Sequence, residues 1–205
     1  AQLLNTGYEE STLIGDAVTP ESFVINLRGV DCFTFLDYIE AMRLSRSFAE
    51  FRENLRNGRY RSGIVSFENR NHFFSDWKHY NADLVEDITS QLANENCLTE
   101  IKKLNEKEDG TYYIPGIPVI EREITYLPSH LIDGSLMKKL RSGDYVGIYS
   151  NKKGLDVSHA GIVIKEQDTV NLRHASSLQK HRRVMDEDLR KYLKGKPGII
   201  VLRPK

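Results

Sequence analysis

Cysteine is scarce in this chain: of 205 residues only Cys32 and Cys97 carry a thiol. Two thiols cannot build a multi-disulfide framework, and a bond between them would silence either one as a nucleophile. An excess of one charge is also missing. Lys+Arg and Asp+Glu both number 29, for a net charge of zero. That balance gives no support for nucleic acid or an anionic membrane as the main partner. No apolar stretch approaches the roughly 20 residues that span a bilayer. Internal repeats, low-complexity tracts and a domain linker are lacking too. Ala1-Gln2-Leu3-Leu4-Asn5 has neither the basic region nor the apolar run of a signal peptide. A chain that begins at Ala rather than Met is compatible with an export signal already removed. What is present, 40% hydrophobic and 28% charged, suffices for one globular domain with a sizeable core, spanning 1–205.

The pattern along the chain puts helices first and an antiparallel sheet second, an α+β arrangement with a helical part over about 1–110 and a sheet part over about 111–205. Apolar residues at 32, 35, 36, 39 and 42 follow helical spacing from Cys32 to about Arg43. Ser47-Phe48-Ala49-Glu50 spells a capping box for a helix that should stop near Gly58. Asp83 is placed to cap a helix over 84–94. In the second half, 119–127, 145–149, 160–165, 169–172 and 199–202 are short, β-branched or aromatic runs with hairpin-length links. A short helical turn covers 135–140. The acidic start Asp186-Glu187-Asp188 and the stop at Gly195 predict a late helix over 186–194.

Three residues offer the parts of a nucleophilic site. Cys32 opens the first long helix, where free N–H groups and the helix dipole favour a thiolate and can bond an oxyanion. His159 heads the run Ala160-Gly161-Ile162-Val163-Ile164, and His174 closes the next one. If the two runs pair as a hairpin, His174 can bond the far nitrogen of His159 and orient it as a base. Taken singly, each residue also has a plain reading: Cys32 as a small core hydrophobe, the histidines as strand-end residues. Zinc on the Cys/His/His set is a further alternative, for which no fourth ligand is suggested.

The order Asp31-Cys32, Leu140-Arg141-Ser142-Gly143-Asp144-Tyr145-Val146, His159-Ala160-Gly161-Ile162-Val163-Ile164 and His174-Ala175-Ser176 resembles the NlpC-type papain-like cell-wall hydrolases. Val24-Ile25-Asn26-Leu27, Gly58-Arg59-Tyr60-Arg61 and 69–77 make the chain similar to the N-acetylmuramoyl-L-alanine amidase-like branch of that superfamily. That branch usually has Thr after its cysteine, where this chain has Phe33. The resemblance implies a papain-like domain with N-terminal helices packed on an antiparallel, barrel-like sheet. It implies cleavage of the amide between the muramic acid lactyl group and L-alanine in peptidoglycan fragments (muropeptides). Cys32 is carried over as nucleophile, His159 as base and His174 as orienting residue. A bacterial envelope setting, periplasmic or secreted, is implied as well. The expected enzyme needs no metal or organic cofactor and works as a monomer. The alternatives are an endopeptidase cutting between D-glutamate and the diamino acid, and a non-catalytic peptidoglycan-binding module of the same fold.

Four further residues are candidates for substrate contact. Tyr60 can donate a phenolic hydrogen bond near the oxyanion, and Arg70 can pair a peptide carboxylate bidentately. His72 can touch substrate or brace its loop, and Trp77 can stack on a sugar or peptide face. Packing and loop bracing are the competing readings for this block. Cys97 reads as a helix-end or semi-buried thiol. Lys180-His181-Arg182-Arg183, balanced by Asp186-Glu187-Asp188, reads as a solvated face. His79, His130 and His181 have no partner pattern.

Overall fold

A computed structural model describes residues 3–93, 96–167 and 169–205. Six helices are described: α1 (Cys32–Arg43), α2 (Phe48–Arg59), α3 (Phe74–Tyr80), α4 (Thr89–Ala93), α5 (Gly134–Lys139) and α6 (Leu189–Tyr192). The strands are β1 (Gly7–Tyr8), β2 (Gly29–Val30), β3 (Val85–Asp87), β4 (Leu98–Leu104) and β5 (Ile120–Pro128). They continue with β6 (Tyr145–Tyr149), β7 (Val157–Glu166), β8 (Thr169–Ser176), β9 (Arg183–Asp188) and β10 (Gly198–Pro204). They form one curled, half-barrel sheet in the order β2-β1-β9-β8-β7-β6-β10-β5-β4, with β3 paired to β10. Pairing is antiparallel except between β1 and β2.

Around β6 both faces of the sheet are covered. On one, Tyr145 and Tyr149 of β6 pack with Phe35, Leu36 and Tyr38 of α1 and with Trp77. On the other, Val146 and Ile148 pack with Leu136, Met137 and Leu140 around α5, and with Leu189 and Leu193 around α6. A strand buried on both faces reads as a continuous apolar run, which is why Tyr145 to Tyr149 shows no polar alternation.

Helix α1 is the buried centre of the helical layer. Its polar residues are therefore partnered: Asp37 binds Arg59 at 2.8 Å and accepts from the Trp77 indole at 3.2 Å, while Glu40 binds Arg43 and the Tyr145 hydroxyl. Ser47 caps α2 through the Glu50 N–H at 3.2 Å. The Glu50 carboxylate returns to the Arg46 N–H at 2.7 Å instead of that of Ser47, so only half of the expected box forms.

Three expectations are corrected. The segment 84–94 is not one helix: β3 precedes the short α4, and the Asp87 carboxylate accepts the Thr89 N–H at 2.9 Å. Asn94, the last residue of the expected helix, and Glu95 lie outside the described residues, as do Ala1 and Gln2. The segment 186–194 divides as well, into strand β9 and one turn of α6 capped by Asp188. Strands β1 to β4 lie before residue 110, so the sheet begins earlier than the expected division.

Candidate active site

Cys32 is the first residue of α1, and its setting follows from Asp31. Asp31 Oδ1 accepts the N–H groups of Phe33 at 2.9 Å and Thr34 at 2.7 Å, and the Thr34 hydroxyl accepts the Asp31 N–H at 3.0 Å. This reciprocal cap spends two first-turn donors. The Cys32 N–H is the first-turn donor that the cap leaves over.

Burial pushes the Cys32 thiol up to about 12, and the Asp31 carboxylate adds to the rise. The N–H groups of Ala160, Cys32 and Phe33 face the sulfur and act the other way. At this helix start the N–H groups favour the thiolate as expected, but desolvation and the capping acid outweigh them.

Ala160 is the residue after His159, so the same strand start that faces the sulfur carries the imidazole. The pairing of β6 with β7 slips there: Ile148 faces His159 while Tyr149 faces Val157, leaving Ser158 as an extra residue. Such a bulge bends the strand and re-aims the side chains beside it. His159 Nε2 lies 2.7 Å from His174 Nδ1, and His174 Nε2 lies 2.7 Å from Glu187 Oε2. The rings are nearly perpendicular, at 87°. Tyr192 packs its ring edge-on to His174, 5.1 Å between centroids. Burial drives His159 down to about 3, with His174 and Lys196 adding to the fall, and burial also lowers His174 against the pull of Glu187. Burial thus works against a charge on either ring, and at His174 the Glu187 carboxylate opposes it.

Glu187 was missed by sequence reasoning. It sits in an acidic triplet that reads as a helix start, and nothing local distinguishes it from its neighbours. Asp186 makes a bidentate pair with Arg173 at 2.7 Å, and Asp188 caps α6 by accepting the Lys191 N–H at 2.8 Å. Each acid of the triplet therefore has a different partner.

The sequence matches, over residues 1–199, the family described as AmiA-like, N-acetylmuramoyl-L-alanine amidase-like. The chain belongs to this family. None of the curated protein sequences compared with it matches. An N-acetylmuramoyl-L-alanine amidase from Bacteroides uniformis ATCC 8492, solved at 1.07 Å, is 28% identical. It superposes with a TM-score of 0.84, covering 99% of this chain and 94% of that one. A Bacteroides fragilis protein named as a candidate xylanase is 29% identical, with a TM-score of 0.81, covering 98% of this chain and 96% of that one. A Legionella pneumophila protein at 22% identity and a TM-score of 0.79, covering 98% of this chain and 85% of that one, shares the fold.

Within this AmiA-like domain the four expected substrate contacts fall differently. Trp77 is buried in the core, its indole N–H on Asp37 and its ring edge-on to Tyr145, so it has no face to offer a sugar. Tyr60 is buried as well, and its hydroxyl donates to Glu21 at 2.7 Å, leaving no hydrogen for an oxyanion. His72 braces its loop by bonding the Phe67 carbonyl at 2.7 Å. Arg70 binds Glu21 through Nε and Nη2 and donates to the Gly15 carbonyl at 2.9 Å. It also lines a cleft of about 520 Å³ with Thr12, Asp16, Thr19 and Asp31, the residue before Cys32. Cys97 is half-buried, its thiol 3.5 Å from the Thr89 carbonyl. Among the described residues no group of three His, Cys, Asp or Glu side chains is placed to hold a metal ion, and no helix is long and apolar enough to cross a membrane.

Proposed function

We propose that the chain is a cysteine-dependent N-acetylmuramoyl-L-alanine amidase of papain-like, NlpC type, acting on muropeptides in the bacterial envelope. The observation that carries this reading is the hydrogen-bonded series His159, His174, Glu187, rooted next to Ala160, whose N–H faces the Cys32 sulfur. His159 Nε2 is engaged by His174, so Nδ1 is the nitrogen left to serve as base.

In the proposed reaction the lactyl carbonyl carbon lies against the sulfur and its oxygen against the Cys32 N–H. His159 Nδ1 takes the thiol proton as the Sγ–C bond forms, and the oxyanion is held by the Cys32 N–H, the first-turn donor outside the cap. The C–N bond then breaks, and His159 returns the proton to the amine of L-alanine. Water attacks the thioester, gives a proton to His159 and releases the carboxylic acid. That proton goes back to the sulfur. Thiolate and imidazolium are each disfavoured alone in this buried site, so the charge pair forms together, at the moment of attack.

The name carried by the Bacteroides fragilis relative points to a second chemistry, glycoside hydrolysis. That chemistry ordinarily needs two carboxyl groups flanking the scissile bond. At this site Asp31 is spent on the helix cap and Glu187 on His174, so the geometry favours acyl transfer. Mass analysis of a digested disaccharide-tetrapeptide separates the outcomes. Free disaccharide with an intact tetrapeptide is expected. A disaccharide retaining L-Ala-D-Glu would assign the endopeptidase reaction instead, and bound but uncut muropeptide would leave a binding module.

A further inference from the structure

We propose that Glu187 is a positioning residue that fixes the tautomers of both histidines and so leaves His159 Nδ1 bare to receive the thiol proton. The proposal rests on the reading of His159 as base, and it adds a member that neither the sequence motifs nor the family assignment supplies.

The argument is one of donors and acceptors. An ionised carboxylate only accepts, so the 2.7 Å contact between Glu187 Oε2 and His174 Nε2 requires a hydrogen on that nitrogen. A neutral imidazole carries one N–H, so His174 Nδ1 is then an acceptor. The 2.7 Å contact from His159 Nε2 must in turn be a donation to it. In the neutral His159 ring that donation uses the one N–H, at Nε2, so Nδ1 carries a lone pair. One carboxylate thus orders two rings, and the lone pair at the far end is the base.

Without Glu187 each ring can take either tautomer. The Nδ1–H form of His159 presents a hydrogen to the thiol instead of a lone pair, which is inert as a base. The surroundings leave Glu187 free for this work. Asp186 is held by Arg173 and Asp188 by the α6 cap, so neither competes for His174. The ring of Tyr192 against His174 limits its rotation. Glu187 itself is partly exposed, as a residue placed for charge and not for packing.

The test is ¹⁵N NMR of histidine-labelled full-length protein without substrate, beside steady-state kinetics on the disaccharide-tetrapeptide. In the wild type both rings are expected as Nε2–H, with Nδ1 showing the pyridine-type shift. Glu187→Ala is expected to mix the tautomers and lower kcat roughly 10- to 100-fold, the range over which outer partners of a functional histidine act, with KM nearly unchanged. Glu187→Gln keeps an acceptor oxygen and should restore most of the ordering and of kcat. Nδ1–H on either wild-type ring would overturn the proposal, and this arm holds even if the alanine variant does not fold. Unchanged tautomers in Glu187→Ala, or mixed tautomers with kcat within about twofold of wild type, would overturn it equally. A protein whose tautomers follow Glu187 but which leaves muropeptides intact would refute the amidase reading and support this one.

Discussion

Gly161 lies against His174: a Cβ added at Gly161 would stand 3.0 Å from the His174 Cβ and 2.8 Å from the Arg173 carbonyl oxygen. The β7–β8 hairpin brings the two imidazoles together only because position 161 carries no side chain. Gly161→Ala must push β8 away from β7 at the place where a 2.7 Å contact joins the rings. The expected result is a loss of roughly tenfold or more in kcat/KM, with a destabilisation of about 1–3 kcal/mol from overpacking. Kinetics and urea unfolding of the one variant check both halves.

Asp31 caps α1 and at the same time raises the thiol of Cys32. Asn at this position keeps an oxygen for the Phe33 and Thr34 N–H groups and removes the charge. Asp31→Asn should therefore lower the thiol pKa and speed alkylation of Cys32 by iodoacetamide at pH 7.5 roughly 3- to 10-fold, corresponding to half to one unit. The wild-type thiol, held up to about 12, should react more slowly than an unstructured cysteine. Peptide mapping distinguishes Cys32 from Cys97.

His72 gives a pH dependence of stability. Burial moves it from 6.5 in the unfolded chain to about 4 in the fold. Between these values the unfolded state binds the proton that the native state refuses, so stability present above pH 6.5 is lost as pH falls toward 4. At pH 5 the loss from this one ring is roughly 1–2 kcal/mol. His72→Gln should flatten the difference between unfolding free energies at pH 7.5 and pH 5 by that amount. His159 and His174, also lowered, add falls of the same sign that the variant leaves in place.

The Arg70 side chain neutralises Glu21, whose carboxylate is buried and also holds the Tyr60 hydroxyl. Arg70→Ala leaves that charge without a cation and should cost about 3–5 kcal/mol in urea unfolding. Arg70→Met combined with Glu21→Gln should recover much of the loss. A stable Arg70→Ala enzyme with a raised KM would return Arg70 to the substrate.

Helix α1 was legible because its apolar positions repeat every three to four residues and its cap lies in the sequence beside it. Strands β5 to β8 and β10 were legible from β-branched runs between turn residues. Strand β9 was not: Asp186-Glu187-Asp188 looks like a helix start until Arg173 and His174, in a different strand, claim two of its acids. Trp77 and Tyr60 were misplaced for the same reason. Their polar ends are satisfied by Asp37 and Glu21, forty and thirty-nine positions away, and no local pattern shows such partners. The direction of the Cys32 shift was hidden because a helix start is visible in sequence and the depth of a sulfur is not.

Rapid acid quenching of wild type with disaccharide-tetrapeptide, followed by peptide mass mapping, reads the nucleophile and the bond together. The account predicts an adduct on the Cys32 peptide with the mass of the disaccharide lactyl acyl group and no amino acid. An adduct on another residue, an acyl group carrying L-Ala-D-Glu, or full hydrolysis by Cys32→Ala would contradict it.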